Sequence, residues 1–282
     1  MTTVRELVES TAAVIGDRTH ARWLVEVAVS VDRVDDALDE EVTERMVAHL
    51  DAMVGRYRTG EPLQYVLGRW AFRHVDLFVD ERVLIPRPET EEVAGVAIEF
   101  ARAVEGARTV IDLGTGSGAI GLSLAAELPI ENTSIWMTDI SPDALAVARA
   151  NLAGIGRPAR NVTIIESRWF DALPANLQAD VIVSNPPYIA LESPDVDGSV
   201  SEYEPEVALY SGSDGLEAIR EIIRKAGDFL TVNGALVLEI GADQRLATEY
   251  LFEEHGYVDY EVRPDAFGHD RIAIGYWPGS AQ

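Results

Sequence analysis

Apolar positions recur at helical spacing through the first part of the chain. Leu7, Val8, Val14 and Ile15, then Trp23, Leu24, Val27 and Ala28, predict two amphipathic helices. A third is expected from about Val42 to Val54, ending before Arg58-Thr59-Gly60, and a short fourth opens at Pro62, runs through Leu63, Tyr65 and Val66 and stops at Gly68. Between residues 70 and 90 the period changes. Phe72, Val75, Leu77 and Val79 stand near alternation with polar partners and predict a short hairpin. Ile85-Pro86-Arg87-Pro88-Glu89-Thr90-Glu91 follows. Proline fixes its own φ and restricts its predecessor, so this is an ordered turn, and Thr90 is expected to cap the helix through Val93, Val96 and Phe100.

From residue 109 strands and helices alternate, as in a parallel α/β sheet. Thr109 to Asp112 is the first strand, followed by a glycine-rich loop and a helix to about Leu128; Ser134 to Thr138 is the second and ends at Asp139. Ser141 caps a helix with Pro142 at its first position, reaching about Leu152. Val162 to Glu166 and Asp180 to Ser184 are the third and fourth strands, a helix spans about Asp214 to Leu230, and Ala235 to Ile240 is the fifth strand. After a last helix stopped by Gly256, Val258 to Val262 and Arg271 to Gly275 pair antiparallel. The expected organisation is a helical region over residues 1–75, a hairpin linker over 76–90 and an α/β domain with a seven-stranded sheet over 91–282. Residues 189–213 lack clear periodicity and carry Glu192, Asp195, Asp197, Glu202, Glu204 and Glu206. A stretch that long without regular structure is usually functional or mobile.

Composition narrows the class. Hydrophobic residues make up 47% of the 282 positions, an ordinary core-forming share. No segment approaches the roughly 20 apolar residues that span a bilayer, and the start, MTTVRELVES, is not a secretory signal. Cysteine is absent, and His20, His49, His74, His255 and His269 are scattered without metal-ligand spacing, so no metal is expected. These features fit a cytoplasmic protein without a membrane partner. The net charge of −25 and pI near 4.4 set up a field that repels a nucleic-acid backbone, which argues against direct nucleic-acid binding.

Val110-Ile111-Asp112-Leu113-Gly114-Thr115-Gly116-Ser117-Gly118 ends a strand and opens a helix. Glycine lets the backbone turn sharply and approach a ligand, and a helix N-terminus favours electron-rich groups. Asp139, at the tip of the next strand, suits a ribose diol. Gly116, Gly118 and Gly121 also satisfy the dinucleotide pattern, so the loop alone decides little between NAD and S-adenosylmethionine. Asp112 tips the balance toward a cationic ammonium or sulfonium and away from a pyrophosphate.

The fourth strand runs into Asn185-Pro186-Pro187-Tyr188, placing Asn185 at the cofactor cleft. The Asn185 amide oxygen and the Pro186 carbonyl are suited to accept the two N–H bonds of one –NH₂ group, and Tyr188 offers a flat face to a planar group. That arrangement answers a chemical difficulty. An amide nitrogen is a poor nucleophile because its lone pair is delocalised, and two fixed acceptors hold it in line and favour its pyramidalisation.

With these segments the chain resembles the PrmC/HemK family of protein N5-glutamine methyltransferases that act on peptide chain release factors. The resemblance is carried by residues 60–68 (GEPLQYVLG), by Leu84 to Glu91, by Asp112 to Gly118, by Asn185 to Tyr188, by Tyr203-Glu204-Pro205 and by Gly212 to Leu216. It implies a class I, Rossmann-like methyltransferase fold with a helical substrate-recognition region, S-adenosylmethionine as methyl donor, and the glutamine of a release factor's Gly-Gly-Gln loop as acceptor. Carried over by position, Asp112, Gly114, Thr115, Gly116, Ser117, Gly118, Asp139, Trp169 and Asn185 would hold the cofactor. Of these, Gly114 to Gly118 would take its methionine part, Asp139 its ribose hydroxyls, and Trp169 would flank the adenine. Asn185, Pro186, Pro187 and Tyr188 would bind the glutamine, with Asn185, Pro186 and Tyr188 catalytic. The tetrapeptide is shared with adenine-N6 methyltransferases of nucleic acid, which remain the alternative; a cofactor-binding scaffold without catalysis is a third reading, against which the intact tetrapeptide speaks. Glu239, ending the fifth strand, is expected to be a solvated strand end, and Trp23 and Trp70 core or domain contacts.

Overall fold

The computed structural model describes residues 2–191 and 202–279; Glu192, Asp195 and Asp197 lie outside them. Three helices open the chain, α1 (Val4–Ile15), α2 (Arg18–Val29) and α3 (Glu44–Arg58). Their starts are fixed by side chains that satisfy orphan N–H groups. Thr3 and Glu6 form a reciprocal capping box, Asp17 accepts from the Thr19 and His20 amides, and Thr43 accepts from Met46. Helix α3 runs to Arg58, past the expected end at Val54. The short α4 (Leu63–Leu67) follows Pro62 and ends at Gly68 with φ 66°, a left-handed cap. Val4, Leu7, Leu24, Val25, Leu50, Met53, Leu63 and Val66 form a core of their own.

Strands β1 (Arg69–Phe72) and β2 (Val75–Phe78) pair as the expected hairpin. Their inward residues Phe72, Val75 and Leu77 join the core of the following α/β part, not that of the helices. Asn151 ties the hairpin down: its Oδ1 accepts from Phe78 N at 2.8 Å, and its Nδ2 donates to the carbonyls of Phe78 at 3.0 Å and Ser117 at 2.8 Å.

The large sheet comprises β3 (Arg108–Leu113), β4 (Thr133–Asp139), β5 (Val162–Glu166), β6 (Ala179–Ser184), β7 (Leu230–Glu239), β8 (Asp259–Pro264) and β9 (Asp270–Tyr276), in the order β5-β4-β3-β6-β7-β9-β8. The first five are parallel and β9 runs antiparallel to both neighbours, the class I Rossmann-like methyltransferase arrangement. Alternate residues feed opposite faces. Val110, Val181, Val183 and Val237 pack under α5 (Pro88–Ala103) and α6 (Ala119–Glu127), while Ile111, Ile182, Leu236 and Leu238 pack under α9 (Glu217–Ala226) and α10 (Arg245–Glu254). Between them lie α7 (Pro142–Gly154) and the short α8 (Glu206–Leu209). Helix α9 stops before Leu230, which opens β7 instead of closing the helix as expected.

The chain leaves β3 toward β4 and β5 on one side and returns to β6 and β7 on the other. The reversal creates a crevice outside the C-terminal ends of β3 and β6, where sheets of this kind bind ligands.

Candidate active site

The loops after β3, β4 and β6 meet at that crevice. Gly116, at φ 55°, has nothing within 4 Å of where a side chain would begin, so its backbone opens directly onto the space in front of the sheet. Its N–H donates to Asp139 Oδ2 at 2.9 Å, and Asp139 Oδ1 accepts from Ser141 N at 2.9 Å. Burial pushes the Asp139 carboxyl up, and these backbone donors oppose the shift. Gly121, within α6, is needed for a different reason. A Cβ there would stand 2.6 Å from Met137 Cγ and 2.9 Å from Asp112 Oδ2, so only glycine lets the helix lie this close to β4.

Asp112 sits beneath the loop, not in the cavity. Its Oδ2 accepts from the Thr115 hydroxyl at 2.5 Å and from Gly121 N at 2.9 Å, while Oδ1 has no partner among the described residues. Burial pushes this carboxyl up to about 7, against the pull of the Thr115 and Gly121 bonds. Asp112 therefore shapes the loop from below. Trp169, in the left-handed region at φ 49°, swings its indole back so that Cζ3 would be 3.2 Å from a Cβ on Gly114.

These residues surround a cavity of about 300 Å³. Gly114, Gly116, Asp139, Trp169, Asn185 and Pro187 line it, with Leu84, Ser141, Val207, Ala208 and Tyr210. Asp112, Thr115, Ser117, Gly118, Pro186 and Tyr188, also expected at the site, are not part of the lining.

Behind Asn185 the structure assembles a cluster that the sequence did not announce. Asn185 Nδ2 donates to Thr90 Oγ1 at 3.0 Å, and the Thr90 hydroxyl donates to Glu239 Oε2 at 2.6 Å. The Tyr188 hydroxyl donates to Glu239 Oε1 at 3.2 Å. Glu239 is thus fully buried and not a solvated strand end, because helix α5 covers the C-terminal end of β7. Thr90 is not a cap either. Arg87 is the N-cap residue and Pro88 opens the helix, which places Thr90 within the first turn, with its side chain turned toward the sheet. Burial is the main cause that pushes Glu239 up to about 7; Glu89 adds to it, and Thr90, Tyr188 and Arg271 oppose it. Burial, then Glu239, also pushes the Tyr188 hydroxyl up and keeps it a donor. The Arg271 guanidinium lies 5.8 Å from the centre of the Tyr188 ring. Two signals were present in the chain: a charge closing the apolar run 235–238, and Thr90 within the proline-flanked motif.

The downstream Tyr203-Glu204-Pro205 latches that motif in place. Glu204, its side chain 1% exposed, accepts from Ile85 N at 3.0 Å and from Arg87 at 2.5 Å, while the Tyr203 hydroxyl donates to Thr59 O at 3.1 Å. An unpaired buried carboxylate would be costly, so the two donors hold the proline turn against the cavity wall.

The raised Glu239 has a consequence for stability. Its folded-state value lies above its ordinary value of 4.5, so the fold favours the neutral form. This stabilisation is complete below about pH 4.5 and is lost as pH rises through 7. Glu239→Gln does not titrate. It is expected to lose less stability than the parent between these limits, by on the order of 3 kcal/mol. Denaturant melts across the pH range check this; parallel curves for the two proteins would show that Glu239 does not titrate in that window.

Known proteins match the chain over most of its length. Residues 10–68 match the PrmC N-terminal domain and residues 99–197 the methyltransferase small domain. The chain is 38% identical over 254 residues to a release factor glutamine methyltransferase of Burkholderia pseudomallei, covering 88% of this chain and 86% of that one. It is 41% identical over 236 residues to a release factor glutamine methyltransferase of Lactococcus lactis, covering 83% and 84%. Among solved structures, a methyltransferase from Pyrococcus furiosus superposes with a TM-score of 0.52 at 18% identity, over 80% of this chain and 98% of that one. That likeness bears on the fold alone.

Proposed function

The chain belongs to the release factor glutamine methyltransferase family, and from that premise we propose that it moves the methyl group of S-adenosylmethionine to the side-chain nitrogen N5 of the glutamine in a release factor's Gly-Gly-Gln loop, supporting translation termination. The observation that carries this reading is the junction of Asn185 with Asp139, Gly116 and Trp169 on one cavity.

The cavity fits the donor. Gly116 leaves backbone open to the methionine portion, the Asp139 carboxylate retains lone pairs for two ribose hydroxyls, and the Trp169 indole offers a face to a purine beside apolar Val207 and Ala208. When bound, S-adenosylmethionine supplies an electrophilic methyl on a sulfonium. The protein's own part is positional. Asn185 Oδ1 and the Pro186 carbonyl would each accept one N–H of the glutamine amide, aim its nitrogen, and favour the pyramidal geometry in which the lone pair is free. The nitrogen would gain the carbon that the sulfonium gives up, leaving a neutral thioether, and would then release one proton to solvent. Once alkylated it is acidic, so no strong base is required.

We assign the helical region expected over residues 1–75 to substrate recognition, with its boundary drawn before α4 because Tyr65, Phe72 and Val75 pack in the core of the α/β part. The stretch from there to residue 90 we assign to a linker, and 91–282 to the catalytic domain. We place the protein in the cytoplasm with release factors, and not nucleic acid, as partners. Among the described residues no helix is long and apolar enough to cross a membrane. The test is to incubate the protein with methyl-labelled S-adenosylmethionine and either a release factor or DNA. Label is expected on the release factor glutamine. Label on adenine N6 alone, or calorimetry showing tight NAD binding and no heat from S-adenosylmethionine, would overturn the reading.

A further inference from the structure

We propose that Thr90 and Glu239 are positioning residues that fix which way the Asn185 amide faces, presenting its oxygen and not its –NH₂ to the substrate nitrogen. The inference rests on the reading of Asn185 as the acceptor for the glutamine amide.

An asparagine side chain is nearly symmetric in shape, yet its two ends are opposite in function. In the wrong orientation Asn185 would aim two donors at a substrate that is itself a donor, and the contact would become repulsive. Nothing in the proline-rich loop decides this; the direction comes from behind. Once ionised, Glu239 accepts only, so the Thr90 hydroxyl spends its single proton on Oε2, at 2.6 Å. The Thr90 oxygen is then left as an acceptor, and only Nδ2 of Asn185 can answer it, which it does at 3.0 Å. Oδ1 becomes the outward atom and accepts no hydrogen bond from any described residue. Tyr188 completes the chain by donating to the other oxygen of Glu239, at 3.2 Å, so both carboxylate oxygens are held. The buried charge has a use that a neutral side chain would not supply: it gives the row of hydrogen bonds a direction. The linkage spans three separate elements, the first turn of α5, the end of β6 and the end of β7. It also accounts for the rigid Pro86-Arg87-Pro88 turn and its Glu204 latch, which set where α5 begins and hence where Thr90 stands.

Thr90→Val keeps the shape and removes both the donor and the acceptor; Thr90→Ser keeps both. Assayed at about pH 8.5, above the value at which Glu239 ionises, Thr90→Val is expected to lower kcat for a release factor about 30-fold. The calorimetric affinity for S-adenosylmethionine and the KM for the release factor should stay within about threefold, and Thr90→Ser should recover turnover to within about threefold of the parent. In an Asn185→Ala background, Thr90→Val is expected to add less than about a twofold loss, because there is no amide left to orient. Equal impairment by Val and Ser, or a full additional loss on top of Asn185→Ala, would overturn the proposal. Native turnover in Asn185→Ala would overturn both the proposal and the reading beneath it. A slow Asn185→Ala with a native-rate Thr90→Val would overturn the proposal alone. If Thr90→Val loses cofactor binding through misfolding, Thr90→Val combined with Glu239→Gln, which leaves no buried anion short of a donor, carries the same comparison.

Discussion

Replacing Asn185 with alanine is expected to lower kcat for methylation of a release factor by about 10²- to 10³-fold, the range seen when one preorganised polar group is removed from a reacting centre. Affinity for S-adenosylmethionine should change little. The asymmetry follows from where the side chain sits. The backbone at the end of β6 is anchored independently, through the Ser184 hydroxyl donating to Leu113 O at 2.7 Å, so alanine at 185 removes an acceptor without releasing the loop. The cofactor's expected partners, Gly116 in the loop after β3 and Asp139 at the end of β4, are bonded to each other at 2.9 Å. What alanine leaves behind is space that water can enter, and a mobile water neither aims the amide nitrogen nor favours its pyramidal form. Asp139→Ala should show the opposite bias, raising the KM for S-adenosylmethionine more than it lowers kcat, because it unties Gly116 as well as removing a carboxylate from the cavity. Asp112→Ala belongs with it: Asp112 lies under the loop, so its loss would act by freeing Thr115 and Gly121. Single-turnover rates beside calorimetry separate the two behaviours. Near-native turnover in Asn185→Ala would remove the tetrapeptide from the reaction.

The parts of this site that could be read from the chain are those whose chemistry is written locally. The glycine loop, the aspartate ending β4 and Asn185-Pro186-Pro187-Tyr188 are contiguous motifs on strand ends. Strand alternation with helices then brings their ends together at the crevice, because parallel strands all finish on one side. Thr90 and Glu239 are different. They lie 149 residues apart in sequence, and the Asn185–Thr90 contact spans 95. Neither hydrophobic period nor spacing records such a pairing, so Glu239 looked like an ordinary polar end to an apolar strand. The burial that defines it comes from α5, a helix placed by the proline turn. Asp112 teaches the converse. Its residue type suggested contact with a cation, while the fold uses it as an internal tie for the loop. The hairpin was legible as a hairpin from its alternation, but nothing in that alternation says whose core it completes.

That last point decides how the N-terminal region should be tested. Removing α1 to α3, residues 1–60, is expected to reduce kcat/KM for an intact release factor by about 10²-fold or more, as when the anchoring residues of a protein interface are lost. S-adenosylmethionine affinity and turnover of a short Gly-Gly-Gln peptide should stay near native. The cut must fall before α4. Tyr65 donates to Val83 O at 2.5 Å and packs with Phe72 and Leu77 in the catalytic core, so a deletion through residue 75 would tear out part of the methyltransferase itself. Upstream of α4, Val4, Leu7, Leu24, Val25, Leu50 and Met53 pack on one another and on Leu63 and Val66 of α4, an apolar seam that the cut exposes. Described contacts from this bundle to the rest include the Trp23–Trp70 ring pair, with centroids 6.1 Å apart, and the Tyr203 to Thr59 hydrogen bond. A bundle with its own core, joined to the catalytic part through the hairpin and the stiff proline turn, suits recognition of a surface remote from the transferred methyl. A glutamine between two glycines offers few handles, so binding energy has to come from elsewhere on the substrate. The net charge of −25 favours a partner with basic patches and makes association sensitive to salt. If the bundle only covered apolar surface of the catalytic part, the shortened protein would aggregate or lose cofactor binding, and peptide and protein substrates would suffer alike. A shortened protein that binds S-adenosylmethionine and methylates the intact factor at the native rate would show that recognition lies in the catalytic domain.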